Sequence, residues 1–133
     1  MNKLLKIFFD VVISFFALLV FSPLIIIISI ISYTIQGLPI FFVHERLGIN
    51  GRPFRMIKLR TMKKGPSLSA KSDEKRLTEW GRFLRKTSID EIPVFINVLK
   101  GNMSMVGPRP LPIKYLSRFN NTQILRLNVK PGI

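Results

Sequence analysis

The chain has 133 residues, enough for one domain with a modest core, and carries a formal net charge of +14 from 21 Lys and Arg against 7 Asp and Glu. It contains no cysteine, which excludes disulfides, zinc–thiolate sites and cysteine catalysis. The charge requires an anionic partner, whether nucleic acid, anionic lipid or a phosphorylated substrate.

Hydropathy divides the chain into an apolar segment, 1–36, and a basic head, 37–133. From Ile7 to Ile35 the only charged residue is Asp10. Val11 to Ile35 exceeds the roughly 20 apolar residues that a membrane helix needs. It is longer than a signal-peptide core of about 7–15 residues, and no Ala-x-Ala site follows it. Ser22-Pro23 lies near its middle. Proline kinks a helix, because it lacks an N–H and crowds the carbonyl four residues back. Ser22, before the proline, is pushed away from helical angles, and its hydroxyl is placed to bond a carbonyl that the kink frees. Lys3 and Lys6 precede the segment; His44, Arg46, Arg52, Arg55, Lys58 and Arg60 follow it. Positive flanks prefer the cytoplasmic side. A re-entrant segment, broken at Ser22-Pro23 with both ends cytoplasmic, therefore fits better than a spanning one. Asp10 is expected to pair with a basic residue at the headgroup level.

In the head, Ile40-Phe41-Phe42-Val43 suits a strand or a membrane-surface anchor. Asn50-Gly51 is a strong hairpin-turn signal, and Phe54 to Met62 reads as the returning strand. Lys58 and Arg60 fall on one face at period two, facing either a phosphate or solvent. Lys63 to Ser72 reads as a loop and Asp73 to Lys86 as a helix, with Leu77, Trp80 and Leu84 at helical spacing. Its basic face carries Arg76, Arg82, Arg85 and Lys86, so Trp80 and Phe83 sit either at a membrane interface or in the core. Ile92, Phe95, Ile96 and Leu99 predict a further helix, stopped at Lys100-Gly101. Val106 to Pro112 must be an ordered turn or irregular loop, and Leu116 to Leu127 reads as partly helical. The expected fold is thus mainly α with a small β-hairpin.

Asp90 and Glu91 stand together in the most basic part of the chain. Two structural readings compete with a catalytic one. Asp90 as N-cap would place Pro93 at the third helical position, whereas Ser88-x-x-Glu91 would form a capping box. The catalytic reading uses two carboxylates to hold Mg²⁺ against phosphate oxygens, or one of them as a nucleophile on phosphorus. Their mutual repulsion raises an apparent pKa unless cations offset it. Arg82, Arg85, Lys86 and Arg109 are available for that. Arg109, between two prolines, is held on stiff backbone and suits a phosphate clamp.

These blocks together resemble the bacterial sugar transferases known as monotopic phosphoglycosyl transferases. The resemblance rests on Ser22-Pro23, Glu45-Arg46-Leu47-Gly48 with Gly51, and Lys58-Leu59-Arg60-Thr61-Met62. It continues through Arg85 to Pro93, Asn97 to Gly101, Met103-Ser104, Val106 to Pro110 and Lys130 to Ile133. It implies a monotopic protein with a re-entrant, Pro-kinked helix in the bacterial inner membrane and its head on the cytoplasmic face. The implied reaction is Mg²⁺-dependent transfer of a sugar 1-phosphate from a UDP-sugar to undecaprenyl phosphate, with release of UMP. Asp90 would be the nucleophile, Glu91 with Asp90 the metal ligands, and Arg109, Arg85, Lys58 and Arg60 phosphate-binding. Asn102 stands where the family often has Asp. The block that begins Lys130-Pro131-Gly132-Ile133 continues well beyond this point in relatives, so a truncated, inactive transferase is one alternative. The other is a membrane-anchored basic module for anionic lipid or nucleic acid. The nucleic-acid form lacks clear aromatic platforms and a recognition helix.

Overall fold

The computed structural model describes residues 2–66 and 70–133. Helix α1, Lys3–Gln36, is followed by strands β1, Phe41–Leu47, and β2, Pro53–Leu59. Helices α2, Ala70–Arg76, α3, Glu79–Lys86, and α4, Phe95–Leu99, come next. A 3₁₀ helix, Ile89–Val94, leads into α4, and two more, Ile113–Arg118 and Gln123–Asn128, occupy the region expected to be partly helical.

At 34 residues α1 is about 51 Å long at 1.5 Å per residue, and it is apolar and long enough to cross a membrane. One stripe is polar or packed: Asp10, Ser14, Ile28 and Ser32 are buried against the head. These positions recur at four-residue steps within each half, which places them on one side of the helix. Phe8, Phe15, Phe16, Leu19, Val20, Ile27 and Ile30 are exposed on the remainder. The helix runs through Pro23, and the hydroxyl of Ser22 donates to the carbonyl of Leu19 at 2.8 Å. That carbonyl, four residues before Pro23, is the one left without an amide donor. Asp10 accepts from the backbone N–H of Met105 at 3.0 Å, in place of the basic partner expected for it.

The two strands form an antiparallel hairpin pairing Phe41 with Leu59 and Leu47 with Pro53. At its turn Asn50 and Gly51 both have positive φ, 56° and 71°. Those angles are the reason an Asn-Gly pair signals a hairpin. Alternation along β2 sends Met56 to one cluster, with Val94, Val98 and Met103, and Leu59 to another, with Ile28 and Leu84. The fully buried Asn97 extends the sheet. Its Oδ1 accepts from Ile57 N–H at 3.1 Å and its Nδ2 donates to the Arg55 carbonyl at 2.6 Å, so β2's second edge is satisfied.

The helix expected over Asp73 to Lys86 is two helices. Thr78 is extended, accepts from Gly81 N–H at 2.9 Å and restarts the chain as an N-cap, while Leu77 bridges to Met62. Of the loop read over Lys63 to Ser72, the part from Ala70 onward is helical and 67–69 lie outside the described residues. The stop after α4 is a Schellman motif. Gly101, at φ 76°, donates to the Val98 carbonyl, and Asn102 N–H donates to the Asn97 carbonyl. Asn102 therefore serves the turn through its backbone.

Candidate active site

The hairpin register sets Phe42 beside Lys58, His44 beside Met56 and Arg46 beside Phe54. These six side chains share one face. Met56 and Phe54 pack toward Val94 and Val98, which brings Lys58 and Arg46 to the turn that carries the acidic pair.

That turn is built by the end of α3. The hydroxyl of Thr87 donates to the carbonyls of Phe83 and Leu84, and Ser88 then takes φ 57°, ψ 16°. Few non-glycine residues occupy this left-handed region. The reversal feeds the 3₁₀ helix Ile89–Val94, in which Asp90, Glu91 and Pro93 all lie. Neither capping arrangement forms. Ser88 makes no side-chain cap bond, and Asp90 lies inside the 3₁₀ helix. Both carboxylates are thereby available for other work.

Glu91 Oε1 accepts from Lys58 Nζ at 2.5 Å and from Arg109 Nη2 at 3.3 Å. Burial acts to raise the Glu91 carboxyl, but the Lys58 hydrogen bond and charge, with Arg109 and Arg46, hold it below the usual range. Asp90 is 7% exposed and makes no ion pair among the described residues. Burial pushes its carboxyl up; Lys58 and Arg85 pull against that, and Glu91 adds to it. Two neighbouring acids thus differ in character. Glu91 is a fixed anion, and Asp90 is a buried carboxyl with cations nearby.

Lys58, Arg109 and Arg85 join this cluster. Arg85 is anchored by Nε donating to Thr61 Oγ1 at 3.0 Å, within electrostatic reach of Asp90. Arg60 does not. It lies just beyond β2, is 7% exposed, and donates to the Gln36, Gly37 and Leu38 carbonyls at 2.5, 2.7 and 3.3 Å. A guanidinium there offsets the negative end of α1. Ser22 and Pro23 lie in α1 as described above.

His44 and Arg46 were read from sequence as flanking charge, and Arg46 also as part of a family block, with no site role for either, although their period-two spacing opposite Lys58 marks one strand face. Arg46 feels both Glu91 and Arg109, and its Nε donates to His44 Nε2 at 3.0 Å. His44 is therefore a neutral acceptor. Burial, then the charges of Arg46 and Lys58, lower its pKa from 6.5 to about 4. The unfolded chain protonates near 6.5 and the folded chain near 4, so this site's stability is complete above about pH 6.5. It is lost as pH falls through 4. His44→Gln should flatten the fall of melting temperature between pH 6.5 and 4, and an unchanged slope would contradict this account.

The acidic pair offers hard oxygen donors, and no group of three or more His, Cys, Asp or Glu gathers among the described residues. Such a pair suits a cation that also binds substrate oxygens, as opposed to a cage built wholly of protein ligands.

The chain matches the bacterial sugar transferase family over residues 1–133. It is 44% identical to the uncharacterized sugar transferase EpsL of Bacillus subtilis, in an alignment covering 98% of this chain and 65% of that protein. It is 38% identical to a UDP-glucose:undecaprenyl-phosphate glucose-1-phosphate transferase of Escherichia coli, over 99% of this chain and 30% of that one. It is 33% identical to the exopolysaccharide production protein ExoY of Rhizobium meliloti, over 94% of this chain and 64% of that one. The chain thus spans at most about two thirds of the length of these relatives. With the acidic pair, its cations and the apolar helix in place, the match over the whole length means that the chain belongs to the bacterial sugar transferase family.

Proposed function

We propose that this chain carries the catalytic carboxylates of an enzyme that transfers a sugar 1-phosphate from a UDP-sugar to polyprenol phosphate, with undecaprenyl phosphate as acceptor. The Escherichia coli relative is named for such a transfer. The observation that carries the reading is the contrast within the acidic pair. Glu91 is neutralised by Lys58 and Arg109, while Asp90 is buried without an ion-pair partner among the described residues.

In this reading the Asp90 carboxylate attacks the sugar-bearing phosphorus of the donor. The bond from that phosphorus to the bridging oxygen breaks and UMP leaves, so that Asp90 carries the phosphosugar. A polyprenol phosphate oxygen then attacks the same phosphorus, which forms the lipid diphosphate sugar and returns Asp90 as carboxylate. Burial raises the carboxyl's basicity, and with it the nucleophilicity of the ionised form. Arg109 and Lys58, already directed at Glu91, orient phosphate oxygens, and Arg85 and Arg46 add positive field. Asp90 and Glu91 would hold Mg²⁺, which when bound supplies charge neutralisation at the phosphate oxygens.

A covalent trap tests this. The protein is incubated with a panel of UDP-sugars and Mg²⁺ but no acceptor, denatured, and its peptides weighed. Expected is one peptide containing Asp90, heavier by a phosphosugar, with stoichiometric UMP. UMP formed with no modified peptide would sink the nucleophile role.

The membrane reading is a monotopic anchor in the bacterial inner membrane, with the head on the cytoplasmic face and the continuous α1 bent at Ser22-Pro23 so that it re-enters on the same side. Its support is that both halves of α1 bond the same head, through Asp10 at one end and through Ser32 and Gln36 at the other. A straight crossing would carry one of those ends about 30 Å away. Pro23→Leu restores a donor for the Leu19 carbonyl and should favour crossing. In cysteine-free protein, Asn2→Cys and Asn121→Cys should label from one side, and in Pro23→Leu from opposite sides. Labelling from one side in both would refute the role of Pro23.

A further inference from the structure

A second cationic site lies away from the acidic pair, at the C-terminal end of α1. A groove of about 370 Å³ is lined there by Ile35, Gln36, Leu38, Arg60, Lys63, Lys64 and Thr78. Its size is at the lower end of the roughly 300–1,000 Å³ of small-molecule sites. Three of the seven lining residues are cationic and none is acidic.

Two buried polar atoms of its lining residues lack partners among the described residues. Arg60 is 93% buried, and its Nε has no hydrogen-bond acceptor. Gln36 Oε1, also buried, has no donor. Both atoms are closed to solvent, so a ligand in the groove meets Arg60 as positive field and not through its Nε. Lys63 and Lys64 are exposed and make no ion pair among the described residues. The Lys63 backbone is fixed: its N–H donates to the Arg76 carbonyl at 2.9 Å, and the Arg76 guanidinium donates back to its carbonyl at 2.9 and 3.1 Å. The groove is therefore built, and it opens beside exposed Ile35 and Leu38 at the end of the apolar helix.

We infer that this groove holds the phosphate headgroup of an anionic membrane phospholipid. The phosphate oxygens take the charges of Lys63 and Lys64, and the buried Arg60 guanidinium behind them adds positive field. Ile35 and Leu38 meet the start of the acyl chains. The site rests on the membrane attachment proposed above and serves to hold the α1 end of the head at the lipid surface.

Trp80 reads the site directly. It is the single tryptophan, and its Nε1 donates to Ser32 Oγ at 2.9 Å, one helical turn from Gln36. The protein is placed in phosphatidylcholine vesicles containing acyl-brominated phosphatidylglycerol or acyl-brominated phosphatidylcholine at equal mole fraction. Phosphatidylglycerol should be enriched at Trp80 on the order of ten-fold, the two lysines together supplying the preference. Lys63→Gln with Lys64→Gln should remove it, while Lys71→Gln with Lys75→Gln, the same charge loss on α2, should keep it. Equal quenching by the two lipids, or loss of the preference in both double variants alike, overturns the site. Displacement by millimolar inorganic phosphate at constant ionic strength assigns the groove to a soluble phosphate and overturns the lipid as occupant. Quenching by neither lipid overturns membrane attachment itself.

Discussion

Asp90→Asn is expected to lower UMP release and sugar-phosphate transfer by at least about 10³-fold, since removal of a covalent nucleophile costs on that scale or more. The same variant should melt at a higher temperature at neutral pH. The folded Asp90 carboxyl is raised above its ordinary value by burial. The stability of its protonated form is complete below the usual carboxylate range and is lost as pH rises through the raised value. At neutral pH the buried charge opposes folding, and Asn removes it in nearly the same shape. The gain should therefore shrink as the buffer is acidified. A variant that is inactive and also less stable at pH 7 would mean that Asp90 is structural and that the loss of turnover is a loss of fold. Activity within ten-fold of the unaltered protein would end the nucleophile assignment outright.

Gly81→Ala should destabilise the protein by about 3 kcal/mol or more, the upper range for overpacking. A methyl at this position would stand 1.8 Å from the Thr61 carbonyl oxygen and 2.6 Å from its carbon. Both are backbone atoms, held by the Thr78 N–H and hydroxyl bonds to that same carbonyl. On an open helix face the change would instead stabilise by roughly 0.5–1 kcal/mol, so the sign alone decides. Damage should also reach the active site, because Thr61 Oγ1 anchors Arg85. Thermal unfolding in detergent measures the first effect, and transfer by the surviving folded fraction measures the second. A raised melting temperature would show that α3 does not approach Thr61 this closely.

The readable parts of this fold were those decided by local chemistry. Asn50-Gly51 could adopt the left-handed pair that a short hairpin demands, and Gly101 could end α4, because few other residues do either at low cost. The long apolar helix declared itself by composition. What misled were places where a distant partner decides. Leu77, Trp80 and Leu84 keep helical spacing across Thr78, yet the bridge from Leu77 to Met62 and the bond from Thr78 to Thr61 break the helix there. Arg60 sits at period two from Lys58, but β2 ends at Leu59 and the carbonyls of α1 claim the guanidinium. At the acidic pair the two capping readings turned on where a regular helix begins, and the left-handed Ser88 starts a 3₁₀ helix that neither anticipated. Arg46 and His44 were legible in principle from strand alternation but were hidden within a run of basic residues.

The packing of Ile28 between Leu59 and Leu84 bears on how such a protein can be handled or rebuilt. Residues 1–36 are not a tether that can be cut off to yield a soluble head. Cutting there would open the seam lined by Leu59 and Leu84, strip Trp80 of its hydroxyl partner, and free the Met105 amide. Nor can the segment be exchanged for an arbitrary hydrophobic helix in a chimera. The replacement would have to present an acid, a small hydroxyl, an aliphatic side chain and a second hydroxyl in register with the head. The lipid-facing surface of α1 is free to vary in identity so long as it stays apolar, while its other side is bound by the same close fit as any interior residue.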